Sequence, residues 1–213
     1  MTQDQWAKGA ENQLLDQAVA LAPSLGWGAR MAKAAGRACG FSDGETELLI
    51  PHGAQDLAAL LSRRHDARAL AALASTNPSQ LKIRERIAKG IEARIDAAAG
   101  HEAALRRWMG YLALPSHARL GLKLAWESAD AIWRWAGDRA VDGNHYSKRA
   151  LLAEILVTSL LVRLTRGEDA AEAHVDRRIA AVMAFEKRKA QVGRLEIGRR
   201  AADVIGRLRY GGL

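Results

Sequence analysis

The stretch "WRWAGDRAVDGNHYSKRALLAEIL", Trp133 to Leu156, is the part of the sequence that is most informative about the fold. It leaves an aromatic-rich segment, crosses glycines, aspartates and an asparagine, and then becomes almost entirely apolar. Glycine, aspartate and asparagine in such density are typical of a turn. The apolar run that follows, Ala150 to Val162, predicts a helix that is apolar on nearly every face and is surrounded by other helices. The stretch therefore predicts a polar turn, more elaborate than a plain connection needs, between two buried helices.

Helical periodicity continues outward in both directions, broken by Gly and Pro rather than by β-branched runs. With 213 residues, the chain can bury a sizeable core. The pair Asn77-Pro78 predicts the cap and first position of a helix that reaches Ala99. We expect an all-α fold of about nine to ten helices. The other main predicted helices are Gln13–Pro23, Ala29–Ala38, Ala54–Ala74, Asn144–Leu164, one that follows the "TRGEDA" turn (Thr165 to Ala170) and reaches about Gln191, and Leu195–Leu208.

The N-terminal third resembles the DNA-binding end of TetR-type repressors. The resemblance lies in an apolar first helix, a break at Gly26, the "AKAAG" second helix and a turn at Gly40. A recognition helix must approach phosphates, which favours cations on its exposed face. The corresponding segment here carries Asp43, Glu45 and Glu47. We therefore expect a helix-turn-helix shell that binds no nucleic acid.

The Trp133–Leu156 motif also resembles the signature of the Coq-nine family of ubiquinone-biosynthesis accessory proteins. The shared pattern is aromatic-x-aromatic-Ala-Gly-Asp, then Asp-x-Asn-x-Tyr-Ser-Lys-Arg-Ala-x-Leu-Ala, and it fits residues 133–138 and 142–153. The resemblance implies a TetR-like homodimer that binds isoprenoid lipid and serves the di-iron hydroxylase of the pathway without being an enzyme. Mitochondrial members carry aromatic residues where this chain has Gly143 and His145.

The resemblance and the helix pattern together predict three regions. Residues 1–65 form the helix-turn-helix-like region, and residues 66–192 form a helical domain that binds lipid and the partner. Residues 193–213 form a basic amphipathic helix.

Apolar side chains recur at helical spacing on both sides of the polar turn. Such stripes usually form a core, but many flexible aliphatic groups close together also suit a tunnel for a lipid tail. The candidate lipid-binding residues are Leu114, Leu120, Leu124, Trp126, Trp133, Leu151, Leu152, Ile155 and Leu156.

The turn itself supplies the candidate partner surface. Asp142 or Asn144 can cap the following helix, and Asp138 is near enough to Arg149 in sequence to pair with it. Amphipathic rings at a helix start commonly contact a partner. The candidate partner-binding residues are Ile132, Trp135, Asp142, His145, Tyr146 and Arg149.

The net charge of +8 is concentrated at the C-terminus, where residues 177–213 carry ten Lys and Arg against three Asp and Glu. A basic amphipathic helix there suits an anionic membrane surface, although it could also dock on the protein body or on a partner. The candidate membrane-binding residues are Arg194, Ile197, Arg199, Arg200, Val204, Ile205, Arg207 and Leu208.

Several other functions are disfavoured by the sequence. The N-terminus has no apolar signal core, and no apolar run is long enough to span a bilayer. We expect a cytoplasmic chain associated peripherally with the inner membrane. A single acidic-x-x-His spacing, Asp142 and His145, is poor evidence for a di-iron site, so we expect neither metal nor cofactor. The alternative function is a TetR-like regulator that senses a hydrophobic ligand.

Overall fold

The computed structural model describes residues 3–138 and 143–184, and within these ranges every regular element is a helix. The predicted all-α, TetR-like fold is thereby confirmed. The helices are α1 (Gln3–Leu25), α2 (Ala29–Ala38), α3 (Asp43–Leu49), α4 (Ala54–Ala72), α5 (Ile83–Ala99), α6 (Glu102–Leu112), α7 (Ala118–Trp135), α8 (Gly143–Arg166) and α9 (residues 168–184), with a 3₁₀ turn at Pro78–Gln80.

The helix-turn-helix region is fixed by local hydrogen bonds. Gly40 ends α2 in the left-handed region, at a φ of 78°, while the backbone N–H of Phe41 donates to the carbonyl of Gly36 at 3.0 Å. A capping box then starts α3. The backbone N–H of Glu45 donates to the Ser42 hydroxyl, and the Glu45 carboxylate accepts from the Ser42 backbone N–H.

One buried apolar cluster extends from Leu14 in α1 to Val175 in α9. Two tryptophans tie its parts together through buried hydrogen bonds. The Trp27 indole N–H donates to the Ala54 carbonyl, and that of Trp108 donates to the Ala58 carbonyl. Since α4 provides both acceptors, it joins the N-terminal helices to the rest of the bundle and runs across the predicted boundary at residues 65 and 66.

Two predicted helix boundaries are wrong. Helix α1 begins at Gln3 rather than Gln13. Asn77 caps the 3₁₀ turn, where its side chain accepts from the backbone N–H of Ser79, and α5 begins only at Ile83. A cap and proline fix the start of a turn but not whether it continues as an α-helix. The predicted helix at 195–208 lies outside the described residues.

Helices α5 and α7 approach closely where a glycine faces a branched side chain. A Cβ on Gly90 would lie 2.4 Å from Cγ2 of Ile132. The missing side chain allows the contact that brings α7 against α5, and this contact positions the cavities described next.

Candidate functional site

A cavity of about 770 Å³ lies among helices α4 to α8. Its wall is almost wholly aliphatic and aromatic, and such a wall suits the hydrocarbon part of a ligand. The apolar lining includes Ile95, Trp108, Met109, Leu112, Leu122, Leu124, Leu156, Val157, Leu160, Leu161 and Leu164.

The cavity has a buried side and an exposed side. Leu124 and Leu156 are 2% and 6% exposed. Leu122 and Leu161 are 73% and 52% exposed, so they form an outer rim together with Val157. A ligand chain in this cavity can therefore leave it over apolar side chains rather than over a polar edge.

The buried side carries a polar group of four residues, Ser62, Asp66, Arg94 and Ser128, which we call the Arg94 cluster. Nε of Arg94 donates to Oδ1 of Asp66 at 2.5 Å, and Nη2 donates more weakly to the Ser62 hydroxyl at 3.4 Å. The Ser128 hydroxyl donates to the same Asp66 oxygen at 2.7 Å. Burial lowers the pKa of the Arg94 guanidinium, while the charge and hydrogen bond of Asp66 act in the opposite direction. Ser62, Arg94 and Ser128 all line the cavity.

Six of the nine predicted lipid-binding residues line one of two cavities. Leu124 and Leu156 line the large cavity, whereas Trp133, Leu151, Leu152 and Ile155 line a second cavity of about 430 Å³ among α5, α7, α8 and α9. The second cavity lies against the polar turn, because Ala136, Gly137 and Asp138 form part of its wall.

Three of the predicted lipid-binding residues line neither of these two cavities. Leu114 is half exposed just after α6, and Leu120 packs against the outside of the core. Trp126 faces Tyr146, with ring centroids 6.0 Å apart. Their role in lipid binding stays a prediction. Helical spacing shows that residues share a face without showing which neighbour that face meets.

The end of α7 and the start of α8, on either side of the polar turn, are joined by a network of charges around the buried Arg149. Nε of Arg149 lies 2.5 Å from Oδ1 of Asp130, and Nη1 lies 3.3 Å from Oδ2 of Asp138. Lys148 pairs with the other Asp138 oxygen at 3.2 Å, and Arg134 pairs with Asp130 at 2.6 Å. The predicted pairing of Asp138 with Arg149 is confirmed, and Asp130 is a partner that the sequence did not indicate.

Two residues assigned to the partner surface are instead internal. Ile132 is 3% exposed and packs against Gly90. Arg149 is 2% exposed. Neither side chain reaches a surface where it could touch a partner, so both assignments are corrected: Ile132 is core, and Arg149 fixes the turn.

Tyr146 is the predicted partner residue that the structure leaves most accessible, with 65% of its surface exposed. It lies in the first turn of α8 beside Trp126, and Trp135 is half-buried at the end of α7. Helix α8 begins at Gly143, so Asn144 lies within its first turn and not at its cap. Asp142 and the side chain of His145 lie outside the described residues.

His65 is 3% exposed and lies edge-on to Trp108, a residue of the cavity wall, at 6.4 Å between ring centroids. Burial, followed by the nearby cations Arg94, Arg68 and Arg64, lowers the pKa of His65 from 6.5 to about 3. Within the described part of the chain, its buried Nδ1 has no hydrogen-bond partner. His65 is therefore neutral at physiological pH.

We expect the free energy of unfolding to fall as the pH drops from about 6.5 towards 3, because the unfolded chain binds a proton there that the folded chain does not. The loss due to His65 is at most about 1.4 kcal/mol per pH unit. Urea unfolding at pH 7, 6, 5 and 4 should show a shallower decline for His65→Leu than for the parent. His52→Gln, at an exposed histidine, serves as the control. Parallel profiles for the parent and His65→Leu would contradict this account.

The sequence did not indicate the Arg94 cluster as functional. One signal was present: Arg94 falls three residues after Ile91 and seven after Ile87, on the apolar face of α5. A cation on a core-facing stripe requires a buried partner, but the sequence does not show that the partner is Asp66 on α4.

The remaining predictions concern metal and membrane. Among residues 3–138 and 143–184, no three His, Cys, Asp or Glu side chains are close enough to hold a metal ion. None of the described helices is long and apolar enough to cross a bilayer. The eight candidate membrane-binding residues, Arg194 to Leu208, lie outside the described part of the chain.

The family model and the curated proteins that match this chain carry the same family name. Residues 118–186 match the COQ9 family model. The chain is 29% identical over 167 residues to the mitochondrial ubiquinone biosynthesis protein COQ9 of Xenopus tropicalis, covering 72% of this chain and 50% of that protein. COQ9-B of Xenopus laevis is 28% identical over 170 residues, covering 72% and 55%. The chain thus spans about half the length of the curated relatives it matches, and the resemblance seen in the Trp133–Leu156 motif is confirmed.

Proposed function

We propose that this chain, whose residues 118–186 match the COQ9 family model, is a non-catalytic lipid-binding accessory protein of ubiquinone biosynthesis. Its ligands are isoprenoid quinone intermediates, held in the large cavity between α4 and α8. The observation that carries this proposal is the 770 Å³ cavity with its aliphatic wall and apolar rim. A polyisoprenoid tail needs such a surface and few polar anchors.

The second part of the proposed function is delivery of the bound intermediate to an enzyme. The bound intermediate passes to the di-iron demethoxyubiquinone hydroxylase, which docks on the exposed side of the polar turn. Tyr146 and the neighbouring Trp126 support this assignment, as does Trp135 at the end of α7, since aromatic side chains are enriched in the energetic centres of interfaces. The Arg149 network fixes the turn that presents Tyr146.

Two further features belong to the proposal. The basic residues between Arg194 and Leu208 bring the protein to an anionic membrane, where isoprenoid quinones reside. The chain also forms a homodimer.

The alternative function, a regulator that senses a hydrophobic ligand and binds DNA, has less support. Helix α3 presents acidic side chains in its first turn, and Glu45 is engaged in the capping box. The hydrogen bonds from Ser42 lower the pKa of Glu45, which favours its charged form. An anionic helix start is a poor surface for a phosphate backbone.

The partner surface is tested by replacing Tyr146 with lysine. We expect the variant to fold, because the ring is largely exposed. We expect its affinity for the purified hydroxylase to fall by about 30-fold or more, the usual effect of losing an aromatic hot spot. Surface plasmon resonance measures the affinity, and demethoxyubiquinone should accumulate in cells that carry the variant.

Leu48→Lys is the matched control, since Leu48 is 81% exposed on α3, away from the turn. It should bind the hydroxylase like the parent. Unchanged binding by Tyr146→Lys would remove this residue from the interface.

A further inference from the structure

The Arg94 cluster places a buried cation on the wall of a cavity whose other lining residues, apart from Arg106 and Thr165, are apolar. Arg94 is 7% exposed, and Ser62 and Ser128 are 2% and 5% exposed. Burying a guanidinium is costly even when a carboxylate accompanies it. The ion pair of Arg94 and Asp66 would not help the cavity to hold a hydrocarbon tail. Its presence on the wall indicates that the cavity also binds a polar group.

Part of the donor capacity of Arg94 is uncommitted. A guanidinium has five N–H donors in a planar fork. In this structure Nε donates to Asp66 and Nη2 donates to Ser62. Nη1 makes no hydrogen bond to any other residue in the described part of the chain. The Ser62 hydroxyl accepts from Arg94 and retains its own proton as a second possible donor.

The net charge of the Arg94 cluster determines which kind of hydrogen-bond acceptor on a ligand it can bind. Asp66 neutralises Arg94 across a 2.5 Å contact, and Arg106, the other cation that lines the cavity, is half exposed and lies 3.7 Å from Glu102. An anionic ligand would bring an uncompensated charge into a buried and neutral site, which is unfavourable. A neutral oxygen acceptor can instead take a hydrogen bond from the fork without this penalty.

We propose that Arg94 and Ser62 bind a neutral carbonyl oxygen on the head of an amphipathic ligand, such as the ring carbonyl of a quinone. This inference rests on the proposed lipid-binding function and specifies the recognition of the head. The ring lies at the buried side of the cavity, and the tail passes along Leu156 to the rim at Leu122 and Leu161. Asp66 and Ser128 are positioning residues, because they hold the guanidinium in place.

The test compares three short probes on the delipidated full chain: hexylbenzoquinone, hexylbenzene and hexyl phosphate. Displacement of a fluorescent fatty-chain probe gives each dissociation constant. The parent should bind hexylbenzoquinone about tenfold more tightly than hexylbenzene, the value of one buried hydrogen bond. Hexyl phosphate should bind more weakly than hexylbenzoquinone.

Replacing Arg94 alone would leave the buried Asp66 carboxylate without its cation. Both charges are therefore replaced together in the double variant Asp66→Asn, Arg94→Met. The preference for the quinone should fall to about equal binding of the two ring probes, and Ser62→Ala should reduce it in part. The matched control is Asp16→Asn, Arg64→Met, which removes an ion pair between α1 and α4 outside the cavity. It should leave the preference unchanged.

The outcomes separate this inference from the function on which it rests. Equal binding of the two ring probes by the parent would overturn recognition by Arg94 and leave lipid binding standing. A preference that survives in the Asp66→Asn, Arg94→Met variant would also overturn it. Tighter binding of hexyl phosphate would overturn the choice of a neutral acceptor. Binding of none of the probes would overturn the lipid-binding function as well.

Discussion

Replacing Arg149 with methionine is expected to lower the free energy of unfolding by about 3 kcal/mol. The substitution leaves the Asp130 and Asp138 carboxylates, 18% and 10% exposed, without the cation that lies between them. The loss falls at the lower end of the range for broken buried pairs, because Arg134 and Lys148 still contact these carboxylates from outside. Urea unfolding followed by circular dichroism at pH 7 measures the change.

Arg134→Met is the matched control for this prediction. Arg134 shares Asp130 with Arg149, but its side chain is 75% exposed, so its removal should cost less than about 1 kcal/mol. If the two variants lose the same stability, the network around Arg149 does not hold the turn as described.

Filling the large cavity is the second change with a large expected effect. Ala125 lies on the cavity wall in α7, so Ala125→Trp places an indole where the ligand would lie. Overpacking of about 1–3 kcal/mol against the ligand corresponds to a loss of affinity of about 5- to 150-fold. Ala125→Phe should give a smaller loss, and the amount of lipid that co-purifies with each protein measures the effect.

Ala67→Trp provides the control for the added indole. Ala67 is exposed on α4, outside the residues that line the cavity. It should retain lipid like the parent. Equal lipid content in Ala67→Trp and Ala125→Trp would show that the ligand is held elsewhere.

The sequence predicted those parts of the fold that local chemistry determines. Helix α2 occupies the predicted residues 29–38, because Gly28 and Gly40 flank it and its alanines favour a helix. The start of α1 was missed by ten residues, since "QDQWAKGAEN" carries no strong apolar periodicity to distinguish helix from coil.

The site was less predictable, because it depends on contacts between distant residues. Asp138 and Arg149 are eleven positions apart across one turn, so their pairing could be predicted from the sequence. Asp66 and Arg94 are 28 positions apart, and Asp66 and Ser128 are 62 positions apart. Only the packing of α4 against α5 and α7 brings these three together.

Dependence on distant contacts also explains why only some of the predicted lipid-binding leucines line a cavity. Leu120 and Leu124 are four positions apart and share one face of α7, yet only Leu124 lines the large cavity. Periodicity predicts that a face is buried. It does not predict whether the neighbouring helices fill the space beside that face or leave it open.

The central claim is that the cavity holds an isoprenoid quinone intermediate, and mass spectrometry of lipid extracted from the purified protein tests it most directly. The parent and Ala67→Trp should contain an isoprenoid quinone or quinone precursor, and Ala125→Trp should contain at least about fivefold less of it. Finding no isoprenoid lipid in the parent, or the same amount in all three proteins, would contradict it.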